Sequence, residues 1–123
     1  MGLRPEGAKP RLIIACWPWG KYLSDDAIKV KISKYIRIHP QSLISDAKVS
    51  GHYMNSILAV QEVVPQGYDE AMLLDFEGNI AEGPGENFFL VKDGVVYTPP
   101  LGRILAGITR NTIMQLAEQE LGL

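Results

Sequence analysis

Residues 46–55 read DAKVSGHYMN, and the run from Gly51 to Val64 that follows Lys48 decides how the rest of the chain is laid out. Apolar side chains stand at Met54, Ile57, Leu58 and Val64, with Ala59 among them, and Pro65-Gln66-Gly67 stops the run. That spacing is helical. A lysine therefore sits where a loop of small residues turns into a packed helix, with the phenol of Tyr53 five residues on. Val49-Ser50-Gly51 lets the backbone approach a ligand closely. A lysine desolvated there loses proton affinity and becomes a usable amine nucleophile. On local context alone, a solvated surface lysine remains the alternative.

Outward from this helix the chain alternates strands and turns. Upstream, Arg11–Trp17 (RLIIACW) is an apolar run between Pro10 and Pro18, the pattern of a buried strand. Trp19, Gly20 and Tyr22 follow in an aromatic loop. Ile28, Val30, Ile32, Ile36 and Ile38 keep a period of two, with Lys29 and Lys31 opposite, so 28–38 is expected to be a strand ended by Pro40. Downstream, 71–76 (AMLLDF) reads as a strand turned by Glu77-Gly78-Asn79. A strand at 87–92 (NFFLVK) enters a tight hairpin at Asp93-Gly94 and returns through Val95–Tyr97. After the break at Pro99-Pro100, Thr109 opens an amphipathic helix to Leu121, with Ile113, Leu116, Ala117 and Leu121 on one face. The class is α+β, with a small antiparallel-leaning sheet and at least two helices. No element is evident for the sheet's second face, so the core is expected to be incomplete.

The bulk numbers narrow the function. With 123 residues there is room for one domain, and 46 % hydrophobic residues suffice for a core. Twelve basic and fourteen acidic residues, a net charge of −2 and the lack of a basic run argue against nucleic acid and anionic membranes. The single cysteine, Cys16, rules out an internal disulfide framework and fits a reducing compartment. Neither a signal segment nor an apolar stretch of ~18 residues is present, and a soluble, cytoplasmic protein is expected. His39 and His52 lack metal-ligand spacing, and no metal site is expected.

Two further stretches carry polar groups beyond structural need. Glu82-Gly83-Pro84-Gly85-Glu86-Asn87 joins two strands with two glutamates and an asparagine, more than a plain hairpin requires. Phe88 and the lack of a following helix separate it from a dinucleotide fingerprint, and one carboxylate could serve a buried cation. Gly107-Ile108-Thr109 precedes the last helix. Thr109 there is equally a common helix cap and a place ready for a phosphate, where free N–H groups meet the positive end of the helix dipole.

The order of these segments resembles one family. K-V-S-G-x-Y at 48–53, G-Y-D-E-A at 67–71, E-G-x-G-E-N at 82–87 and G-I-T-R at 107–110 resemble branched-chain amino acid aminotransferase, a fold-type-IV pyridoxal-phosphate enzyme. W-P-W-G-x-Y at 17–22 looks like that family's interdomain region, and Trp19 and Tyr22 are expected near substrate. The resemblance implies that Lys48 forms the Schiff base with pyridoxal 5′-phosphate and then shuttles a proton between substrate and cofactor. It implies that Tyr53 bonds the phenolate oxygen, Glu82 faces the pyridine nitrogen and Leu105 packs on the ring. Ile108 and Thr109 would hold the phosphate, with Arg37 near it. The implied reaction moves the amino group of Leu, Ile or Val to 2-oxoglutarate, in a homodimer or higher oligomer.

Against the family pattern the chain is short. Residues 1–22 match the interdomain segment and first strand, and 23–123 match part of the C-terminal domain, an antiparallel-rich sheet or barrel with flanking helices. The N-terminal domain and the end of the C-terminal domain are unmatched, which exposes apolar faces and makes the core marginal. His52 stands where the family often has Asn. Another fold-type-IV activity (D-amino acid transaminase, aminodeoxychorismate lyase or amine transaminase) and an inactive truncated domain are the competing expectations.

Overall fold

The computed structural model describes residues 3–21 and 23–122. Strand β1 (Val30–Ile32) pairs in parallel with β2 (Glu70–Leu74), and β2 pairs antiparallel with β3 (Ile80–Glu82), in the order β1-β2-β3. The parallel pair requires a crossover, and α1 (Tyr53–Val63) lies on that path. Ala59 and Val63 on α1 are fully buried against Ala71 and Leu73 of β2, with Tyr35 and Tyr68 at the margin. These small helix residues stand four apart on one face, which lets helix and sheet approach closely.

The period of two fails after Ile32 for a local reason. Ser33 Oγ donates to Glu62 Oε2 at 2.6 Å and the Lys34 N–H reaches the same oxygen at 2.9 Å, so the chain bends toward α1. It rejoins β2 at Arg37, whose N–H donates to the Leu74 carbonyl at 2.7 Å. The β2–β3 turn is built on Asp75, whose Oδ1 accepts the N–H groups of Glu77 and Asn79, both at 2.9 Å. Gly78 takes φ 85° there, a left-handed conformation glycine adopts freely. A second, two-stranded sheet pairs β4 (Leu90–Lys92) with β5 (Val95–Tyr97) across Asp93 and Gly94. Both turn residues have positive φ, 53° and 74°, the conformation that matches the twist of a two-residue hairpin. The last helix, α2 (Ile108–Leu116), continues as a wider π-type turn from Ala117 to Leu121.

Several expectations are corrected. Residues 11–17 form no strand: Leu12, Ile13 and Ile14 are more than 80 % exposed, because no described strand offers them a ladder. The β1–β2 pair is parallel, β3 was not foreseen, and two separate small sheets replace any closed barrel among the described residues. The large apolar residues Met54, Ile57 and Leu58 on α1, and Val64 just past its end, face outward while Ala59 and Val63 are buried. Ile113, Leu116 and Leu121 on the last helix are likewise exposed, and of its expected apolar stripe only Ala117 is buried.

Asp75 also anchors a charge cluster. Arg103 donates to Asp75 Oδ2 at 2.7 Å and to Glu77 Oε2 at 2.6 Å, with its guanidinium 4.8 Å from the Phe76 ring centroid. Burial raises the Asp75 carboxyl, but Arg103 and the Asn79 and Glu77 N–H groups outweigh it and bring it down to about 2. A carboxyl depressed in the fold stabilises above its unfolded value of 3.8 and loses that stabilisation as pH falls toward 2. Urea unfolding is therefore expected to show wild type losing up to roughly 2 kcal/mol between about pH 5 and pH 2 from this carboxyl. Arg103→Ala is expected to start lower at neutral pH and to show a shallower acid slope. Parallel slopes in the two proteins would show that Arg103 does not set this carboxyl.

Candidate active site

Lys48 sits two residues ahead of a single 3₁₀ turn, Ser50–His52, which feeds directly into Tyr53, the first residue of α1. The bend is fixed at Ala47, whose carbonyl accepts the Val49 N–H at 2.9 Å and lies 3.1 Å from His52 Nδ1. Lys48 and Tyr53 are both exposed. The burial invoked for Lys48 from the sequence is thus not supplied by the residues around it here.

β3 ends on Glu82, which is only 4 % exposed. Its Oε1 pairs with Arg37 Nε. The Leu105 N–H donates to both carboxylate oxygens at 3.1 Å, and Asn87 Nδ2 donates to Oε2 at 2.9 Å. Burial pushes the Glu82 carboxyl up, against the opposing pull of Arg37, the Leu105 N–H and the Asn87 amide. Arg37 is itself oriented by a second bond, to the Ser45 carbonyl at 3.1 Å. Ser56 Oγ on α1 donates to the Pro84 carbonyl at 2.7 Å and ties the helix to the glycine-rich bend.

Arg37, Lys48, Tyr53, Glu82 and Leu105 line one solvent-open cavity of about 50 Å³. A wider hollow of about 680 Å³ shares Lys48 and Leu105 with it and is walled by Ile108, Thr109 and Arg110. The start of α2 thus opens into the second hollow. Gly107 is the N-cap, without a side-chain cap, and the first amide to bond back is Asn111, to the Gly107 carbonyl at 3.1 Å. The amides of Ile108, Thr109 and Arg110 precede it and lack a helical acceptor. Thr109 lies inside the first turn and is not the cap expected from the sequence.

The structure thus gathers Lys48, Tyr53, Glu82 and Leu105 around one cavity and brings Ile108 and Thr109 to its neighbour. Arg37 is placed on Glu82 and lines only the first cavity, away from the α2 end where a phosphate-side arginine was expected. Trp19 is 72 % exposed, tilted against Trp17 with ring centroids 6.3 Å apart, and lines neither cavity. Tyr22 lies outside the described residues. Sequence reasoning gave Asn87 no role of its own, although the excess polarity of the 82–87 bend was its signal.

Comparison with known proteins identifies the family of the chain. The family described as amino-transferase class IV matches residues 2–123. A branched-chain-amino-acid aminotransferase of Pseudomonas aeruginosa is 51 % identical over 97 % of this chain and 40 % of its own length. That of Escherichia coli K12 is 43 % identical over 100 % of this chain and 41 % of its own. The chain thus spans about two fifths of the length of these curated relatives. Among solved structures, the branched-chain aminotransferase of Thermoproteus uzoniensis with norvaline superposes with a TM-score of 0.83 at 44 % identity, covering 88 % of this chain and 36 % of that one. The PLP-form enzyme of Thermobaculum terrenum gives 0.78 at 39 % identity, over 80 % of this chain and 33 % of that one. The fold is that of part of a fold-type-IV branched-chain aminotransferase. With the family matched from end to end, the chain belongs to the class IV aminotransferases.

Proposed function

We propose that this chain forms the cofactor-binding part of a pyridoxal-phosphate-dependent aminotransferase that moves the amino group of Leu, Ile or Val to 2-oxoglutarate. The observation that carries this reading is the continuity of the two cavities: amine and acid in one, the free amides of a helix start in the next, with Lys48 and Leu105 common to both. The residues fit the group. Glu82 accepts from three donors, one of which, the Leu105 N–H, is split between both oxygens, so a ring N–H would take the position that the Leu105 N–H gives up on one of them. The unbonded amides of α2 suit a phosphate.

When bound, pyridoxal phosphate supplies an electron-poor ring that accepts the electron pair of the substrate Cα–H bond. The chain does the rest. Lys48 Nζ is the amine that would hold the cofactor through its aldehyde, with water leaving, and that would take and return the substrate Cα proton. The Tyr53 hydroxyl would donate to the phenolate oxygen. Glu82, oriented by Arg37, would face the ring nitrogen and favour its protonated form. Leu105 would pack on the ring, and Ile108 and Thr109 would hold the phosphate through N–H groups and a hydroxyl.

On this reading, 1–22 is an interdomain segment and 23–123 part of a C-terminal domain in a cytoplasmic homo-oligomer. The exposure of Lys48 favours a second reading, in which the chain by itself binds the cofactor without turning over. A panel of amino donors with 2-oxoglutarate tests the first. L-leucine, L-isoleucine and L-valine are expected to be at least tenfold better donors than D-alanine, the margin that a pocket selecting one enantiomer and an apolar side chain provides. Preference for D-alanine sinks the branched-chain assignment. Cofactor binding without transamination establishes the second reading.

A further inference from the structure

Asn87 makes two contacts that no role assigned above requires. Its Nδ2 donates to Glu82 Oε2 at 2.9 Å and, at 3.0 Å, to the Leu105 carbonyl. Its Oδ1 fills the space beside the N-cap of α2, where a Cβ on Gly107 would lie 2.2 Å from that oxygen. Gly107 has φ −65° and ψ 135°, which any residue adopts, so the need for glycine there comes from Asn87 and not from the backbone. The Gly107 N–H donates to the Leu105 carbonyl at 2.8 Å, the oxygen that Asn87 also holds. One amide thereby joins the end of β3 to the start of α2.

We propose that Asn87 is a positioning residue that sets the separation between the Glu82 carboxylate and the free amides of α2. A ligand bearing a ring nitrogen at one end and a phosphate at the other would then meet both ends at once. The inference rests on the functional reading above. Its consequence is specific: Asn87 governs how well the two ends act together rather than how well either acts alone, since linked half-sites gain only when their spacing matches the ligand.

The test measures dissociation constants of pyridoxal phosphate, pyridoxal and inorganic phosphate by amide chemical-shift titration of the whole chain, with Ile108 and Thr109 as phosphate reporters. In Asn87→Ser, pyridoxal phosphate is expected to weaken about tenfold or more while pyridoxal and phosphate each stay within about twofold, since the loss falls on spacing and not on either grip. Gly107→Ala should reproduce that pattern by displacing Asn87, and should add little in an Asn87→Ala background, where the clash is gone. The two substitutions provide separate routes to the result if one disturbs folding. Equal weakening of all three ligands, or no change in any, overturns the proposal while leaving the cofactor reading intact. Failure of the unsubstituted chain to bind pyridoxal phosphate overturns both.

Discussion

Lys48→Ala is expected to abolish covalent capture of pyridoxal phosphate and to reduce transamination to background. Incubation with the cofactor, reduction by borohydride and peptide mass spectrometry should give a single labelled lysine at Lys48 in wild type and none in the variant. The reasoning is positional. Of the chain's lysines, Lys48 lines both hollows, and the bend that carries it is fixed by the Ala47 carbonyl and the turn into Tyr53. An amine so placed adds to a bound aldehyde with the entropy of encounter largely removed, which is worth several orders of magnitude in rate. Lys48 is exposed, so its removal leaves no buried group unpaired, and stability is expected to change by less than about 0.5 kcal/mol. That separation makes the outcome readable: lost labelling in a protein that unfolds at the wild-type midpoint reports chemistry. Equal labelling of several lysines, or undiminished labelling in Lys48→Ala, would remove this residue from the proposed reaction.

Local chemistry made much of this legible before any coordinates. Asp93-Gly94 requires two positive φ values, and few pairs other than Asp-Gly or Asn-Gly adopt them readily, so the β4–β5 hairpin was readable. The helix from Tyr53 to Val63 was bounded by glycine before it and proline after it, within two residues of the observed ends. Its buried face was not legible, because the large residues that carry a hydrophobic period point outward and the core takes Ala59 and Val63. Residues 11–17 failed for the same reason from the other side: an apolar run becomes a strand only when another edge completes its ladder. β3 is three residues long, too short for a period to register. In the site, Lys48, Glu82 and Ile108-Thr109 stood out because each lies in a segment whose polarity or small residues exceed structural need. The pairing of Arg37 with Glu82 could not be seen, since it depends on the chain leaving β1 at Ser33 and rejoining β2 at Leu74. Asn87 was hidden likewise by its dependence on where Gly107 comes to rest.

The Arg37–Glu82 pair yields the largest expected effect on stability. Both side chains are nearly buried, 11 % and 6 % exposed. Glu82→Ala would strand the Arg37 guanidinium, the Leu105 N–H and the Asn87 amide together, and removing one member of a buried pair typically costs about 3–5 kcal/mol. In a chain with so small a buried core that loss is expected to unfold most molecules, seen as collapse of near-ultraviolet circular dichroism at room temperature. Glu82→Gln is the informative partner. It keeps the shape and an acceptor for Arg37 but turns one acceptor into a donor facing Asn87 and Leu105, a loss of roughly 1–3 kcal/mol. The pH dependence then separates charge from shape. Because burial raises the Glu82 carboxyl in the fold, its contribution to wild-type stability is complete below the unfolded value of 4.5 and declines as pH rises through the folded value. Glutamine does not titrate, so the deficit of Glu82→Gln should be greatest in acid and narrow toward neutral pH. A deficit that instead widens with pH would mean that Arg37 outweighs burial at this carboxylate. In either case the variant can no longer hold a proton on a ring nitrogen by charge, and transamination is expected to fall by at least about a hundredfold, the range of one lost electrostatic contact at a reacting group.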